Sequence, residues 1–195
     1  MNNPEYVKIG AKRYKINTDF RVAIECNNIA TSNNIGDLER TLAIIYKLFG
    51  DEGLNNQQDW EKLLELGIKF LCLGKELNDE QEEQDMDFNQ DMDYIEASFM
   101  SDYRIDLSTT QMHWWKFFNL IEGLSNSDLG NCCVLNRIRN LRTYNVSQIK
   151  DPKERAKIIK AKNKVALNSK KNNTITTTEK QKNQDEFFSA LEGGE

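Results

Sequence analysis

The sequence predicts a mainly α fold: a helical bundle with a small N-terminal β-hairpin and a flexible C-terminal tail. Three observations predict it. Apolar residues recur at three- and four-residue spacing through most of residues 18–167, the period of helices that each bury one face. The 195 residues include only 2 prolines and 10 glycines, too few turn formers for a multi-stranded β architecture. One short stretch, residues 6–17, instead alternates apolar with polar around Gly10-Ala11, the pattern of a hairpin. A lone hairpin is marginal in water, so it is expected to pack on a helix.

Each later element has its own signal. Thr18 is placed to cap a helix carrying Phe20, Ala23, Ile24 and Cys26, which the Asn-rich run Asn27–Asn34 loosens or ends. Asp37 caps a second helix with the stripe Leu38, Leu42, Ile45, Leu48 and Phe49, closed by Gly50. Asp59 opens a third, with Trp60, Leu63, Leu64, Ile68, Leu71 and Cys72 before Gly74. Glu76–Asp87 is acidic, nearly free of apolar residues, and reads as a solvated linker. Helical period returns at Met92, Ile95, Ala97 and Phe99.

Ser108 or Thr109 is expected to cap the most hydrophobic segment, Met112–Leu124. It is apolar on more than one face, so it is assigned the heart of the core. Ser127 or Asp128 starts the next helix, through Leu129, Cys132, Val134, Ile138 and Leu141, with Arg137, Arg139 and Arg142 facing outward. Asp151-Pro152-Lys153-Glu154 is a strong helix start, and the helix it opens is basic and ends near Leu167. The domain reading is a helical domain over 1–167 and a flexible polar tail over 168–195. That tail ends in a short amphipathic motif, Phe187, Phe188 and Leu191.

Hydrophobic residues are 38% and charged residues 29% of the chain, and the net charge of −5 hides a segregation. From Glu76 to Asp106 every charge but Arg104 is acidic, whereas Lys and Arg dominate from Arg137 to Lys182. Such fields attract each other within a fold or between subunits of a homo-oligomer. Cys26, Cys72, Cys132 and Cys133 lack metal-ligand spacing and read as reduced core residues. The N-terminal residues carry no signal-peptide pattern, and no apolar run reaches the ~20 residues of a membrane span. A cytoplasmic location is the expectation.

Catalytic chemistry finds little support. His113, the single histidine, stands beside Trp114 in the most apolar segment and reads as a satisfied core or interface residue. Nucleophile-elbow, zinc-protease, phosphate-loop and Cys-x-x-Cys motifs are absent. No catalytic residue, metal ligand or cofactor is therefore expected. Asp85, Asp87, Asn89, Asp91, Asp93 and Glu96 do fall at the ligand positions of an EF-hand calcium loop. Gln90, however, occupies the position where that loop turns sharply on glycine, so the acids read as a linker and a first helical turn. The basic C-terminal third keeps a nucleic-acid-binding regulator as the alternative function.

The runs Asp91-Met92-Asp93-Tyr94-Ile95-Glu96-Ala97-Ser98-Phe99, Tyr103-Arg104-Ile105-Asp106-Leu107 and Met112-His113-Trp114-Trp115-Lys116-Phe117 together resemble the bacteriophage gene-product-fifteen family. Ile16-Asn17-Thr18-Asp19-Phe20-Arg21 and Leu48-Phe49-Gly50 add to the resemblance, which covers about residues 6–145. It implies a siphophage tail assembly chaperone, acting in the host cell cytoplasm on the tape measure protein and the major tail protein. A chaperone for a long helix needs an apolar groove and adaptable side chains around it. Phe20, Trp114, Trp115 and Phe117 are expected in the core, and Arg137, Arg139, Phe187 and Phe188 among the partner contacts.

Overall fold

The computed structural model describes residues 3–32, 34–75, 84–126 and 132–168. The tail from residue 169, with Phe187 and Phe188, lies outside the described residues. So do most of the acidic run (76–83) and the helix start expected at Ser127 or Asp128. The described elements run β1 (Tyr6–Ile9), β2 (Lys12–Lys15), α1 (Phe20–Ala30), α2 (Asp37–Leu54), α3 (Trp60–Leu71), α4 (Phe88–Tyr103), α5 (Trp114–Glu122), α6 (Val134–Thr143) and α7 (Pro152–Val165). Single 3₁₀ turns occur at Gln57–Asp59 and Val146–Gln148. The chain is mainly helical with one small antiparallel hairpin, as its periodicity predicts. Where the sequence suggests one domain over 1–167, the described residues form two compact units, one from residues 3–75 with 112–115 and one from 84–111 with 116–168.

In the first unit, Gly10 takes φ +56° at the first position of a two-residue turn, and the strands pair from Tyr6 with Lys15 to Ile9 with Lys12. Positive φ is nearly free for glycine and matches the strand twist. Tyr14 and Ile16 point inward and are buried. α1 is capped by Asp19, whose carboxylate accepts from the Arg21 N–H at 2.9 Å, and not by Thr18. The Thr18 carbonyl instead accepts from the Trp114 N–H at 2.7 Å. α1 also runs through Asn27 and Asn28 to Ala30, because buried Phe20, Ala23, Ile24 and Cys26 outweigh the weak propensity of asparagine.

α2 packs Ile44, Ile45, Leu48 and Phe49 against α1 and α3, and α3 answers with Leu63, Gly67 and Phe70. Gly50 does not end α2. It kinks it at φ 63°, ψ −157°, after which the helix resumes to Leu54. Gly36 occupies the cap position, with Asp37 and Glu39 in the first turn, one residue from the expected start. Residues 112–115 complete this unit. The Phe20 N–H donates to the Met112 carbonyl at 3.0 Å, and the indoles of Trp114 and Trp115 donate to the Leu71 and Phe70 carbonyls, each at 2.9 Å. Those are terminal carbonyls of α3, beyond its regular ladder, and the Phe70 carbonyl also accepts from the Leu73 N–H at 3.1 Å.

In the second unit, α4 turns Asp91, Ile95, Ser98 and Phe99 inward at helical spacing, starting from an Asp87 cap whose carboxylate accepts from the Asn89 and Gln90 N–H groups. Phe99 stacks on Phe117 with ring centroids 5.3 Å apart. The Ser98 hydroxyl donates to the Tyr94 carbonyl at 2.6 Å and accepts from the Leu135 N–H at 3.1 Å, tying the start of α6 to α4. α5 is not apolar all round: Phe117 and Ile121 are buried, whereas Lys116, Asn119 and Glu122 are exposed. It begins after His113, later than a Ser108 or Thr109 cap would start it, and residues 107–109 form a turn. α6 is capped by Cys133. Asp151 and Pro152 start α7 as expected, and it ends at Val165.

Two outcomes test this description. Gly50→Ala meets no atom within 4 Å, yet it should cost about 1–3 kcal/mol in urea denaturation, because only glycine adopts that φ and ψ without strain. The second concerns Asp59, which accepts from the Tyr14 hydroxyl at 2.6 Å and from the Lys12 ammonium at 2.9 Å. These bonds lower its carboxyl below the ordinary value, the Tyr14 bond contributing most. A lowered folded value stabilises above the unfolded value and is lost as pH falls through the folded one. Asp59→Asn should therefore lower the melting temperature near neutral pH. The gap from the native chain should close well below about pH 4, as circular dichroism melts would show.

Candidate functional site

Two features stand out, one in each unit. The first is an open depression of about 590 Å³ on the outer side of α2. Its floor is Leu38, Leu42, Ala43, Tyr46 and Leu54, with Glu39 at its edge. Leu38 is 44% exposed and Tyr46 50% exposed, so the stripe is wet beside the packed flank that holds Ile45 and Phe49. The geometry follows from the helix period: four residues turn about 400°, so a row at i, i+4, i+8 drifts about 40° per step. Leu38, Leu42 and Tyr46 therefore walk away from the packed side that holds Ile45 and Leu48. The kink at Gly50 precedes the last turn, which carries Leu54.

The charges around this depression are unequal. Arg40 is spent on Asp37 and on the carbonyls of Ser32 and Ile35, at 2.7 and 3.1 Å. Lys47 is spent on Glu25 at 2.5 Å. Glu39, Asp51 and Glu52 are exposed and take part in none of the ion pairs formed among the described residues. The depression is thus apolar in its floor, with Glu39 at its edge and Asp51 and Glu52 further along α2.

The second feature is a buried ion pair. Asp91 is fully buried, and Arg142 grips it through two bonds of 2.6 and 2.7 Å. Arg142 also donates to the Val165 carbonyl at 2.6 Å and to the Asp85 carbonyl at 2.9 Å. The Asp85 carboxylate accepts from Arg139 at 2.9 Å, and Gln90 bonds the Ala166 carbonyl and the Asn168 N–H at 2.8 and 3.0 Å. One cluster thereby fastens α4, α6 and the end of α7.

This cluster corrects one expectation and bears on a second reading. Arg142 faces inward, because its fork matches the carboxylate that α4 buries. The calcium-loop residues do not form a loop: Asn89, Asp91, Asp93 and Glu96 lie within α4, Asp87 caps it, and Asp91 is consumed by Arg142. No group of three or more metal-ligating side chains occurs among the described residues.

The residues singled out from sequence are dispersed. Phe20, Trp114 and Phe117 are buried, and Trp115 is half-buried over the end of α3. Arg137 is exposed, Arg139 is paired with Asp85, and Phe187 and Phe188 lie outside the described residues. His113 uses both ring nitrogens: Nδ1 accepts from the Trp115 N–H at 3.1 Å, and Nε2 lies 3.0 Å from the Pro4 carbonyl. Burial pushes the Cys26 thiol up to about 12. Sequence reasoning placed Leu38 and Leu42 in the packed stripe and missed Tyr46. The available signal was a second apolar row at i, i+4, i+8.

The chain belongs to the family described as Bacteriophage Gp15 protein, whose model matches residues 2–167. It is a bacteriophage protein. No curated protein and no solved structure matches it at a significant level. No helix among the described residues is long and apolar enough to cross a membrane.

The ion pair yields a sharp expectation. Arg142→Leu alone strands a buried carboxylate and should destabilise the chain by about 3–5 kcal/mol. Adding Asp91→Leu should recover most of that loss, since an apolar pair needs no counter-charge. Denaturant midpoints of the native chain, both single variants and the double variant would measure the coupling. A double variant as weak as Arg142→Leu would show that other bonds of the cluster dominate.

Proposed function

We propose that this bacteriophage protein is a tail assembly chaperone, which binds the tape measure protein in the host cytoplasm while tail-tube subunits of the major tail protein assemble around it. The observation that carries the reading is the open apolar stripe on α2, in a chain whose other large apolar clusters are mostly packed. A protein that holds a long helix needs such a stripe, and helix-in-groove recognition uses anchors at this spacing. The family supplies the phage setting. The role is non-catalytic and needs no cofactor: the sole histidine is engaged in backbone contacts and the most buried acid is neutralised by an arginine.

A second reading has one observation in its favour. α7 carries Lys153, Arg155, Lys157, Lys160 and Lys164 exposed, against Glu154 as its single acid. Exposed cations at this density suit a phosphate backbone.

One experiment separates the two. The chain is co-expressed with the tape measure protein of the same phage and run on size-exclusion chromatography with light scattering. A soluble complex of both proteins is the expected result. An insoluble tape measure, with this chain eluting alone and carrying co-purified nucleic acid, would overturn the chaperone reading in favour of the regulator.

A further inference from the structure

We propose that the depression on α2 is a docking groove for one amphipathic helix of a partner, a helix whose apolar stripe is flanked by Lys or Arg. The inference rests on the chaperone reading and deepens it by giving the bound segment a chemistry and a place.

Shape and charge carry it together. Leu38, Leu42 and Tyr46 form an apolar row that winds slowly around about 12 Å of helix, and Leu54 extends it past the kink. A row on one helix is complemented by a row on another, through side chains at i, i+3 or i+4, and i+7. A strand would leave unpaired backbone groups against it, since α2 offers none in return. The margin selects the sign of the partner. Glu39 edges the groove, Asp51 stands one turn before Leu54, and Glu52 is its neighbour, all exposed. The two cations of α2, Arg40 and Lys47, are already engaged by Asp37 and Glu25. An incoming helix with acidic flanks would meet like charge without relief, whereas a basic one meets opposite charge. The aliphatic stems of Lys would also cover the rim of the apolar floor.

The probe is a synthetic amphipathic helix of about 18 residues, about 27 Å long, with leucine on one face and lysine on the other. Two controls accompany it: the same peptide with glutamate for lysine, and a scrambled Leu/Lys peptide of equal charge. Binding to the full chain is followed by calorimetry and by amide shifts in two-dimensional NMR. The variant Leu38→Gln/Tyr46→Gln keeps the net charge and alters only exposed side chains, with its fold verified by circular dichroism.

The Leu/Lys helix should bind the native chain, shift amides around Leu38, Leu42 and Tyr46, and lose about tenfold or more in affinity on the double variant, as loss of two anchor side chains does. The Leu/Glu helix and the scrambled peptide should each bind about tenfold more weakly or worse, a gap of about 1.4 kcal/mol. Equal binding by the double variant, or by the Leu/Glu helix, overturns the proposal. So does a tenfold gain in affinity on deleting residues 169–195, which would make the chain's own C-terminal segment the occupant. A dimer in light scattering that the double variant returns to monomer would assign the groove to a second copy. A tape measure that co-elutes equally with the native chain and the double variant sinks the groove and leaves the chaperone reading standing. Peptide binding lost in the variant, with a tape measure that never co-elutes, does the reverse.

Discussion

A carboxylate leaves water only when every acceptor site it gives up is replaced, and Asp91 meets that demand through two bonds from Arg142 and one from the Asp87 N–H at 3.0 Å. The second unit is arranged around this requirement. The arginine's fork holds Asp91 on two sides, and its remaining donors reach the Asp85 and Val165 carbonyls. One side chain on α6 therefore sets the start of α4 and the end of α7 at once. Such a pair contributes little net stability against an apolar substitute, but breaking half of it is costly. Its effect is positional: helices meet where the hydrogen bonds can all be made.

The first unit solves a different problem with different means. Its core is aliphatic and aromatic, from Tyr14 on β2 through Ile45 and Leu48 on α2 to Leu63 on α3. The polar difficulty lies at the end of α3, where the Leu71 carbonyl lies past the helical ladder and the Phe70 carbonyl keeps one backbone partner, the Leu73 N–H at 3.1 Å. Trp114 and Trp115 satisfy both with indole N–H groups, while the Trp114 ring fills the core. The most aromatic stretch of the chain thus acts as a cap as well as a filler. α2 shows the other side of the same economy. A helix with apolar residues over more than half its circumference has more apolar surface than its neighbours cover, and the Leu38–Tyr46 row stays open.

Much of this was legible in the chain. Asp151-Pro152 starts α7 and Gly10 turns the hairpin, because capping and turn chemistry act over a few residues, whereas Asp59 precedes α3 without capping it and gives its carboxylate to Tyr14 and Lys12. The expectations that fail do so where distant partners compete. Asp19 displaced Thr18 as a cap once the Thr18 carbonyl was engaged by the Trp114 N–H. Gly50 supplied its expected positive φ, but four further residues rejoined the helix because Gly53 fits tightly against Phe49 and Ile45. The candidate site was only half visible. Leu38 and Leu42 were readable as apolar, but not as uncovered.

By itself the sequence determined the helical class, the hairpin, most helix positions and, through its Tyr-Arg-Ile-Asp-Leu and His-Trp-Trp-Lys-Phe runs, the likeness to a phage family. These depend on periodicity, backbone preferences and contiguous motifs, all of which are local. Only the tertiary structure decided that Arg142 is buried against Asp91 and that one row of α2 faces solvent. Each of those outcomes depends on which groups approach from fifty or more residues away, or on which fail to approach. A chain read in order carries no record of that geometry.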